Sequence, residues 1–518
     1  MESLYVWMDG RPAGRFDRTD DMVVFEYPEN AVPISLSLPL AGGWPRKTPI
    51  RFLDNLLPDN PVVRRVMAEE TNAASADTFD LLDGADVSGG LVFTRSDTPP
   101  SPTEPESPAL ALDEDIAGRI MRIKAGAADS WWDPEVHARF SLAGNQPKFS
   151  LARMDGYWFW SSAGLPSTHI LKPGDPHRPG VEENEAASMG LSALCGVPTP
   201  KAGVIGFEGQ TSYIVERFDR ERNADGTVRR IHTEDMMQAI GDDSKHKYGV
   251  KAKQVISVLR RADPTDALAY EWIRRLALDT SVSNADAHAK NYSVVFRPEG
   301  IGIAPMYDVL TTTYWPDVDR SLPMEIGGAR GARQLTPHHW RRLAEDNGLD
   351  PDRVEETART MAWLVLEHAD EAYRSLPPRM AGGLKRQLEL ANEHIEPIRP
   401  ATPSPTSKTK ECHEGMEDFV RRVPMPTADA MDPGFLGPLV EKIGGGDVPD
   451  GVQWKAPAAP QVRVTFKDKG RALEALERRP ATVERLLGAT AEPTSPAPAP
   501  EAPKDESDVD GLFEGLGL

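Results

Sequence analysis

The sequence predicts an α+β protein in which a β-rich first half precedes a helical second half. Three observations carry that reading. Residues 3–40 alternate short apolar runs, LYVWM, MVVFEY and ISLSL, with turn chemistry such as MDGRPAG and YPEN, the pattern of a small antiparallel sheet. Strand-like runs return between 137 and 220 in HARFSLAG, KFSLARM, YWFWSS, HILKP and TSYIVERF. After about residue 230 the period changes, and TEDMMQAIG, KQVISVLRR, LAYEWIRRLALD and RVEETARTMAWLVLEHADEAY read as amphipathic helices.

The remaining elements come in order along the chain. DNLLPDNPVVRRVMAEE repeats its apolar residues at three and four and is expected to be helical. The Pro- and Ser-rich stretch TRSDTPPSPTEPESP marks a boundary. ENEAASMGLSALCG suits a helix closed by Gly196, with Ala186, Met189 and Leu194 on its apolar side. NYSVVFRPEGIGIAPMYDV reads as a hairpin with a Pro-Glu-Gly turn inside the helical half. Beyond residue 396 the chain opens with PIRPATPSPTSKTK and closes with EPTSPAPAPEAPKDESDVDGLFEGLGL, both too poor in apolar residues to form a packed core. Between them QVRVTFKDKG reads as a strand and GRALEALERRPATVERLLG as two short helices.

Composition excludes several classes. At 518 residues with 39% apolar and 27% charged side chains, the chain is an ordinary globular protein of more than one domain. Its formal charge of -21 opposes autonomous binding to nucleic acid or to an anionic membrane. Cys195 and Cys412 form no CxxC, so neither a disulfide framework nor a thiolate metal cluster is indicated, and a reducing cytoplasm is the expected compartment. No basic segment followed by an apolar stretch opens the chain, and no window approaches the roughly 18–20 apolar residues of a membrane span.

The densest chemistry lies in SVSNADAHAKNYSVV, where Asn284, Asp286, His288, Lys290 and Asn291 crowd in front of an apolar β-branched run. A surface turn accounts for such residues one by one. Yet Asp286 and Asn291 stand at D-x-x-x-x-N, the spacing of a base followed by a magnesium ligand in phosphoryl transfer. The other parts of such a site have candidates. Lys172 ends the apolar strand HILKP, where an ammonium can reach phosphates while its stem stays packed; a surface lysine before a turn proline is the plainer reading. Glu185, thirteen residues later, can pair with Lys172 or remain a solvated helix carboxylate. VERFDR links the two halves, and a linker of this kind offers backbone groups to a base such as adenine, with Phe218 as apolar packing or as plain core. Asp308, seventeen residues past Asn291, can join it on a hard cation. His288 and Lys290 can neutralise phosphate or the loop itself. SLAGNQPKFSL has one glycine and fits neither GxGxxG nor the Walker pattern, although Lys148 and the N–H groups near Gly144 can cradle phosphates.

On these motifs the sequence resembles the HipA family, the serine/threonine-kinase toxins of type II toxin–antitoxin modules. The resemblance is carried by SLAGNQPKFSL, HILKP, NEAASMGLSALCGV, VERFDR, HTEDMMQAIG, NADAHAKNYSV and PMYDVL, in the family's order. FLDNLLPDNPVVRRVM and DTFDLLDGADVSGGLVF extend it upstream, so that about residues 1–395 are covered. It implies a two-lobed, protein-kinase-like fold: a β-rich N-terminal subdomain (1–100), a linker and helical connection (101–136), an ATP-binding N-lobe (137–220) and a helical C-lobe with the catalytic loop (221–395), ahead of a Pro-rich extension (396–518). It further implies Asp286 as catalytic base, Asn291 and Asp308 as Mg2+ ligands, Lys172 on the ATP phosphates, Glu216 and Phe218 in the adenine hinge, and residues 142–148 as the phosphate loop, with Ala143, Gly144, Asn145, Gln146 and Lys148 lining ATP. Ser141 matches the serine at which the family phosphorylates and inactivates itself. A HipB-like helix-turn-helix antitoxin is the implied partner, bringing DNA to the complex indirectly, and an aminoacyl-tRNA synthetase is the implied protein substrate. Asn145 and Pro147 depart from the family's loop, and the extension after 396 lies outside its pattern.

Two other classes fit the same residues. One is an inactive, antitoxin-bound corepressor; the other is a small-molecule phosphotransferase, since a base and metal ligands do not reveal the size of the acceptor.

Overall fold

Turn chemistry sets the first hairpin. The computed structural model describes residues 2–19, 22–70, 73–98, 109–126, 146–161, 165–223 and 227–400. Strands β1 (Glu2–Met8) and β2 (Arg11–Thr19) are joined through Asp9 and Gly10, both with positive φ (49° and 73°), as a tight two-residue hairpin requires. With β3 (Met22–Glu26) and, after helices α1 (Thr48–Asp54), α2 (Pro61–Glu70) and α3 (Thr78–Leu82), β4 (Leu91–Thr94), they form an antiparallel sheet in the order β3-β2-β1-β4. Phe16, Phe25, Phe52, Phe79 and Phe93 fill the space between sheet and helices.

Two expectations change here. ISLSL forms no strand: Pro33 and Pro39 flank it, and its polar groups turn to another part of the chain, Ile34 O accepting from His232 Nε2 at 2.7 Å. Past Asp54, where α1 stops ahead of Pro58, DNLLPDNPVVRRVMAEE is helical only from Pro61 onward, and Asn60 starts α2 by accepting from Val62 N at 2.9 Å.

Helix α4 (Asp113–Lys124) leads into a second antiparallel sheet, with order β6-β5-β7-β9-β8. Its strands are β5 (Phe149–Met154), β6 (Tyr157–Trp160), β7 (His169–Lys172), β8 (Ala202–Phe207) and β9 (Gln210–Glu216). Helix α5 (Val181–Leu194) comes after β7, packs against β8 and β9, and is followed by Gly196 in the left-handed conformation (φ 72°). The register pairs Lys172 with Tyr213 and His169 with Glu216. Since side chains alternate along a strand, Lys172 and Glu216 point to opposite faces of this sheet.

The helical half begins with the β10 (Arg220–Arg222) and β11 (Val228–Arg230) hairpin, then β12 (Thr233–Asp235), α6 (Met236–Ile240), α7 (Ala252–Ala262) and α8 (Ala267–Ser281). The expected hairpin is present as β13 (Ser293–Arg297) and β14 (Gly300–Ile303), and β12 joins its edge. The short pair β15 (Ser321–Ile326) and β16 (Ala329–Gly331) precedes α9 (Pro337–Asn347), α10 (Pro351–Ala372) and α11 (Pro378–Asn392). Helix α10 is central, touching α5, α8, α9 and α11, and Trp272, Tyr292, Trp340 and Tyr373 are buried in the core around it.

The N-terminal subdomain is locked to the rest by buried polar groups. Asp86 accepts from Arg217 (3.2 Å), Arg220 (2.8 Å), Arg230 (3.2 Å) and Ser167 Oγ (2.9 Å); burial works to raise its carboxyl, and the guanidiniums hold it far below the usual range. Asp219 bridges Arg217 and Arg220 (2.7 and 2.9 Å) and accepts from Gly89 N at 2.7 Å. Gly89 has φ 85°, and a β-carbon there would meet Thr233 O at 2.7 Å, so only glycine lets the two main chains approach. Glu234 accepts from Ser35 Oγ at 2.6 Å and Leu36 N at 2.8 Å. None of the described helices is long and apolar enough to cross a membrane. The strand and helices expected between 461 and 488 lie outside the described residues.

Candidate active site

Lys172 sits where β7 ends, facing helix α5 and the segment after β14. Its ammonium donates to Glu185 Oε1 at 2.7 Å and also to Asp308 Oδ1. Glu185 is therefore a buried partner and not a solvated helix carboxylate. Burial disfavours charge on Lys172, but Asp308 and Glu185 outweigh it and raise its pKa. Lys148, buried just before β5, belongs to the same group: burial pulls its ammonium down to about 8 against the attraction of Asp308, and Lys172 adds repulsion. Burial likewise works to raise the Asp308 carboxyl, yet Lys172 and Lys148 hold it at about 2. Asp308 is fully ionised at neutral pH, and its left-handed backbone (φ 56°) is one that aspartate tolerates better than most residues.

The second half of the site is the loop after α8. Ser283 turns the chain with φ 60°, and Asn284 organises the residues beyond it. The Asn284 amide donates to Asp279 Oδ1 (2.9 Å) and to the main-chain carbonyl of Asp308 (3.1 Å), while its Oδ1 accepts from Asp286 N at 3.2 Å. Asp279 is buried, which pushes its carboxyl to about 7, and it also accepts from Tyr292 OH at 2.8 Å. Asn284 thus ties the Asp286 loop to Asp308 through one side chain.

Asp286 is reached from solvent, and its Oδ1 accepts from Tyr248 OH at 2.5 Å. His288 is buried with its ring edge-on to Tyr248 (centroids 5.0 Å apart); burial and then Lys247 lower its pKa, so the ring is neutral at pH 7. Lys290 is engaged inside the protein, at 3.0 Å from Asp235 Oδ2, 2.9 Å from Asn55 O and 3.0 Å from Asn55 Oδ1. Of its two expected uses, the contacts present are those that neutralise and anchor the loop.

Asn291 ends a 3-10 turn (Ala289–Asn291), and its Oδ1 is buried without a hydrogen-bond partner. An orphaned buried carbonyl costs about 1–3 kcal/mol. Amide oxygen and ionised carboxylate are hard donors, so Asn291 and Asp308 fit a magnesium ion by chemistry. In the segment expected to be the hinge, Glu216 N donates to Lys201 O (2.8 Å) and Arg217 N to Thr168 O (2.9 Å), and Phe218 stacks on Tyr307 (5.4 Å, 17°). The Glu216 side chain lines a cavity of about 400 Å³ with Arg153, His169, Arg217, Arg220 and Arg222, on the sheet face away from Lys172.

Of the expected phosphate loop (142–148), Gln146, Pro147 and Lys148 are described, and Ala143, Gly144 and Asn145 lie outside the described residues, as does Ser141, the expected site of self-phosphorylation. Tyr248, Asn284 and Asp279 are site residues to which the sequence alone assigned no role. Asn284 carried a signal, standing two before Asp286 as Asn before an exposed turn acid; Tyr248, in KHKYGVK, carried none.

Residues 140–368 match the HipA-like C-terminal domain and residues 4–94 the HipA N-terminal domain. Y4mE of Sinorhizobium fredii, named as a kinase, is 34% identical over 396 residues, covering 71% of this chain and 93% of its own. The serine/threonine-protein kinase toxin HipA of Shewanella oneidensis is 26% identical over 387 residues, covering 70% of this chain and 87% of its own. Among solved structures, a chain of the Shewanella oneidensis HipA, HipB and operator DNA complex aligns with a TM-score of 0.65 at 23% identity, over 76% of this chain and 98% of that one, a likeness of fold.

Proposed function

The chain belongs to the HipA family, and we propose that it is an ATP- and magnesium-dependent kinase that phosphorylates serine or threonine of a protein. The observation that carries the reading is the double grip of Asn284, which fixes the Asp286 loop and Asp308 as one unit. A base and a phosphate-side carboxylate must keep a fixed relation, because positioning supplies most of the acceleration in phosphoryl transfer.

In this reading the acceptor hydroxyl forms a bond to the γ-phosphorus, the bond from that phosphorus to the β-bridging oxygen breaks, and the hydroxyl proton passes to Asp286. Lys172, held by Glu185, lies against the phosphates, with Lys148 beside it. Asn291 and Asp308 would hold magnesium, which when bound neutralises charge on the β and γ oxygens. The hinge at Glu216–Phe218 receives adenine through its backbone, and Phe218 is braced by Tyr307. His288, neutral and buried, supports the loop.

The finer points of the reading come from the family. Ser141 is the site of inactivating self-phosphorylation. The neutralising partner is a HipB-like helix-turn-helix protein, supported by the fold shared with the HipA chain of a HipA, HipB and DNA complex. That partner would bring the DNA contact that a charge of -21 opposes in this chain, within a reducing cytoplasm. The test is intact-mass spectrometry with peptide mapping after incubation with ATP and magnesium. The expected result is one added phosphate at Ser141 in the wild type and none in Asp286→Asn, at equal thermal stability. Equal phosphate on both would remove Asp286 from the role of base.

A further inference from the structure

The Tyr248 hydroxyl holds an oxygen of Asp286 that, in the proposed function, an acceptor hydroxyl would need. An acceptor must bring its hydroxyl within about 2.6–3.2 Å of the base, and Tyr248 already donates to Asp286 Oδ1 at 2.5 Å. Burial and the Asp286 carboxylate both raise the phenol's pKa, so it keeps its proton and acts as donor. A charge-assisted O–H···O− bond of this length is a strong one.

The backbone around Tyr248 is fixed on both sides, whereas its half-exposed side chain is held by the Asp286 bond and the edge of His288. Lys247 Nζ is bound to Asp59 Oδ2 at 2.9 Å, Lys247 O accepts from Ala289 N at 3.3 Å, and Gly249 N donates to His246 O at 2.7 Å. Tyr248 is 53% exposed and meets His288 by its edge. Exposed rings change rotamer within nanoseconds, so an arriving hydroxyl can take over the bond while the chain on either side stays in place.

We propose that Tyr248 is a positioning residue that occupies Asp286 Oδ1, the oxygen an acceptor hydroxyl would use, and keeps water from that oxygen until an acceptor displaces it. The inference rests on Asp286 being the base. Water is the competing nucleophile: its oxygen would bond to the γ-phosphorus, the bond to the β-bridging oxygen would break, and its proton would pass to Asp286, releasing ADP and phosphate. With Tyr248 in place that proton has a less favourable route. Tyr248→Phe keeps the ring and removes the hydroxyl, leaving Asp286 Oδ1 open to water.

The experiment measures phosphate release from MgATP without added acceptor, in a Ser141→Ala background so that self-phosphorylation consumes none. Tyr248→Phe is expected to raise the turnover about tenfold, a modest share of what general-base catalysis supplies, with the ATP concentration at half-saturation unchanged. A residue that only supports the fold would lower turnover or shift that half-saturation. Adding Asp286→Asn to Tyr248→Phe is expected to abolish the gain. No gain in Tyr248→Phe, in a protein whose Ser141 form still phosphorylates itself through Asp286, would overturn the role of Tyr248 alone. A gain that survives Asp286→Asn would overturn both that role and the choice of base.

Discussion

Asn55 and Lys290, 235 positions apart, meet in the interior: the lysine ammonium donates to the Asn55 main-chain carbonyl at 2.9 Å and to its side-chain oxygen at 3.0 Å. The same asparagine donates to Asp242 O at 2.8 Å. The N-terminal subdomain therefore holds the loop that carries Asp286 from beneath, by the loop's own lysine.

Asn55→Ala removes the Asn55 Oδ1 contact and the bond to Asp242, leaving Lys290 with Asp235 and the Asn55 main-chain carbonyl. The expected cost is about 1.5–3 kcal/mol, the range for a hydrogen bond to a charged group. Hydrogen exchange is expected to accelerate at residues 284–291 more than in α10, which does not touch Asn55. Uniform acceleration would mean that the contact supports the fold at large and not the loop.

Asn291→Ala is expected to leave folding intact, because the deleted Oδ1 has no partner inside the protein. The magnesium concentration needed for half-maximal ATP binding is expected to rise at least about tenfold, the lower end found when residues that merely orient a metal ligand are lost. Titrating magnesium at fixed ATP and following bound nucleotide reads this directly. An unchanged midpoint would remove Asn291 from the metal.

Glu234 makes stability depend on pH. Burial raises its carboxyl from 4.5 to about 8 in the folded protein. A raised pKa means that the folded state binds the proton more tightly than the unfolded chain does, so this stabilisation is complete below about 4.5 and lost as pH rises through about 8. Asp219 and Asp308, held at about 2, act in the opposite direction, stabilising above 3.8 and failing only as pH falls toward 2. Glu234→Gln keeps an acceptor for Leu36 N and is expected to flatten the decline in melting temperature between pH 5 and pH 8.5. A wild-type decline of the same slope in the variant would assign it to other groups.

Asp86→Ala strips the shared acceptor from Arg217, Arg220 and Arg230 at a site where the carboxylate is fully buried. Leaving buried cations without their partner costs about 3–5 kcal/mol. Urea denaturation is expected to show this loss, and a loss below about 1 kcal/mol would mean that Asp219 alone can satisfy the cluster.

The parts of the site that were legible in the sequence are those whose partners lie nearby or whose spacing is fixed by local geometry. Lys172 and Glu185 are thirteen residues apart on consecutive elements, and Asp286 and Asn291 lie on one loop five residues apart. The hairpin after Asn291 announced itself through alternation and a Pro-Glu-Gly turn. ISLSL alternates equally well, but Ser35 and the Leu36 main chain answer Glu234, and Ser37 answers Ser35, so the same pattern yields a docked loop. Alternation records which side chains need a polar neighbour, not where that neighbour is. Tyr248 reaches Asp286 from 38 positions upstream and Asn55 reaches Lys290 from 235, and nothing local marks either pair.

The lysine that bridges Glu185 and Asp308 gives the cleft the character of an ion exchanger. Asp308 already carries a monovalent counter-ion fixed to β7, so under the proposed function a divalent ion arriving there would have to displace part of that charge, which the phosphates of a nucleotide would then receive. Cation and nucleotide would then be coupled cargo, each improving the exchange for the other. Lys172→Met should uncouple them, tightening bare magnesium and loosening ATP, two opposite movements in one titration calorimeter.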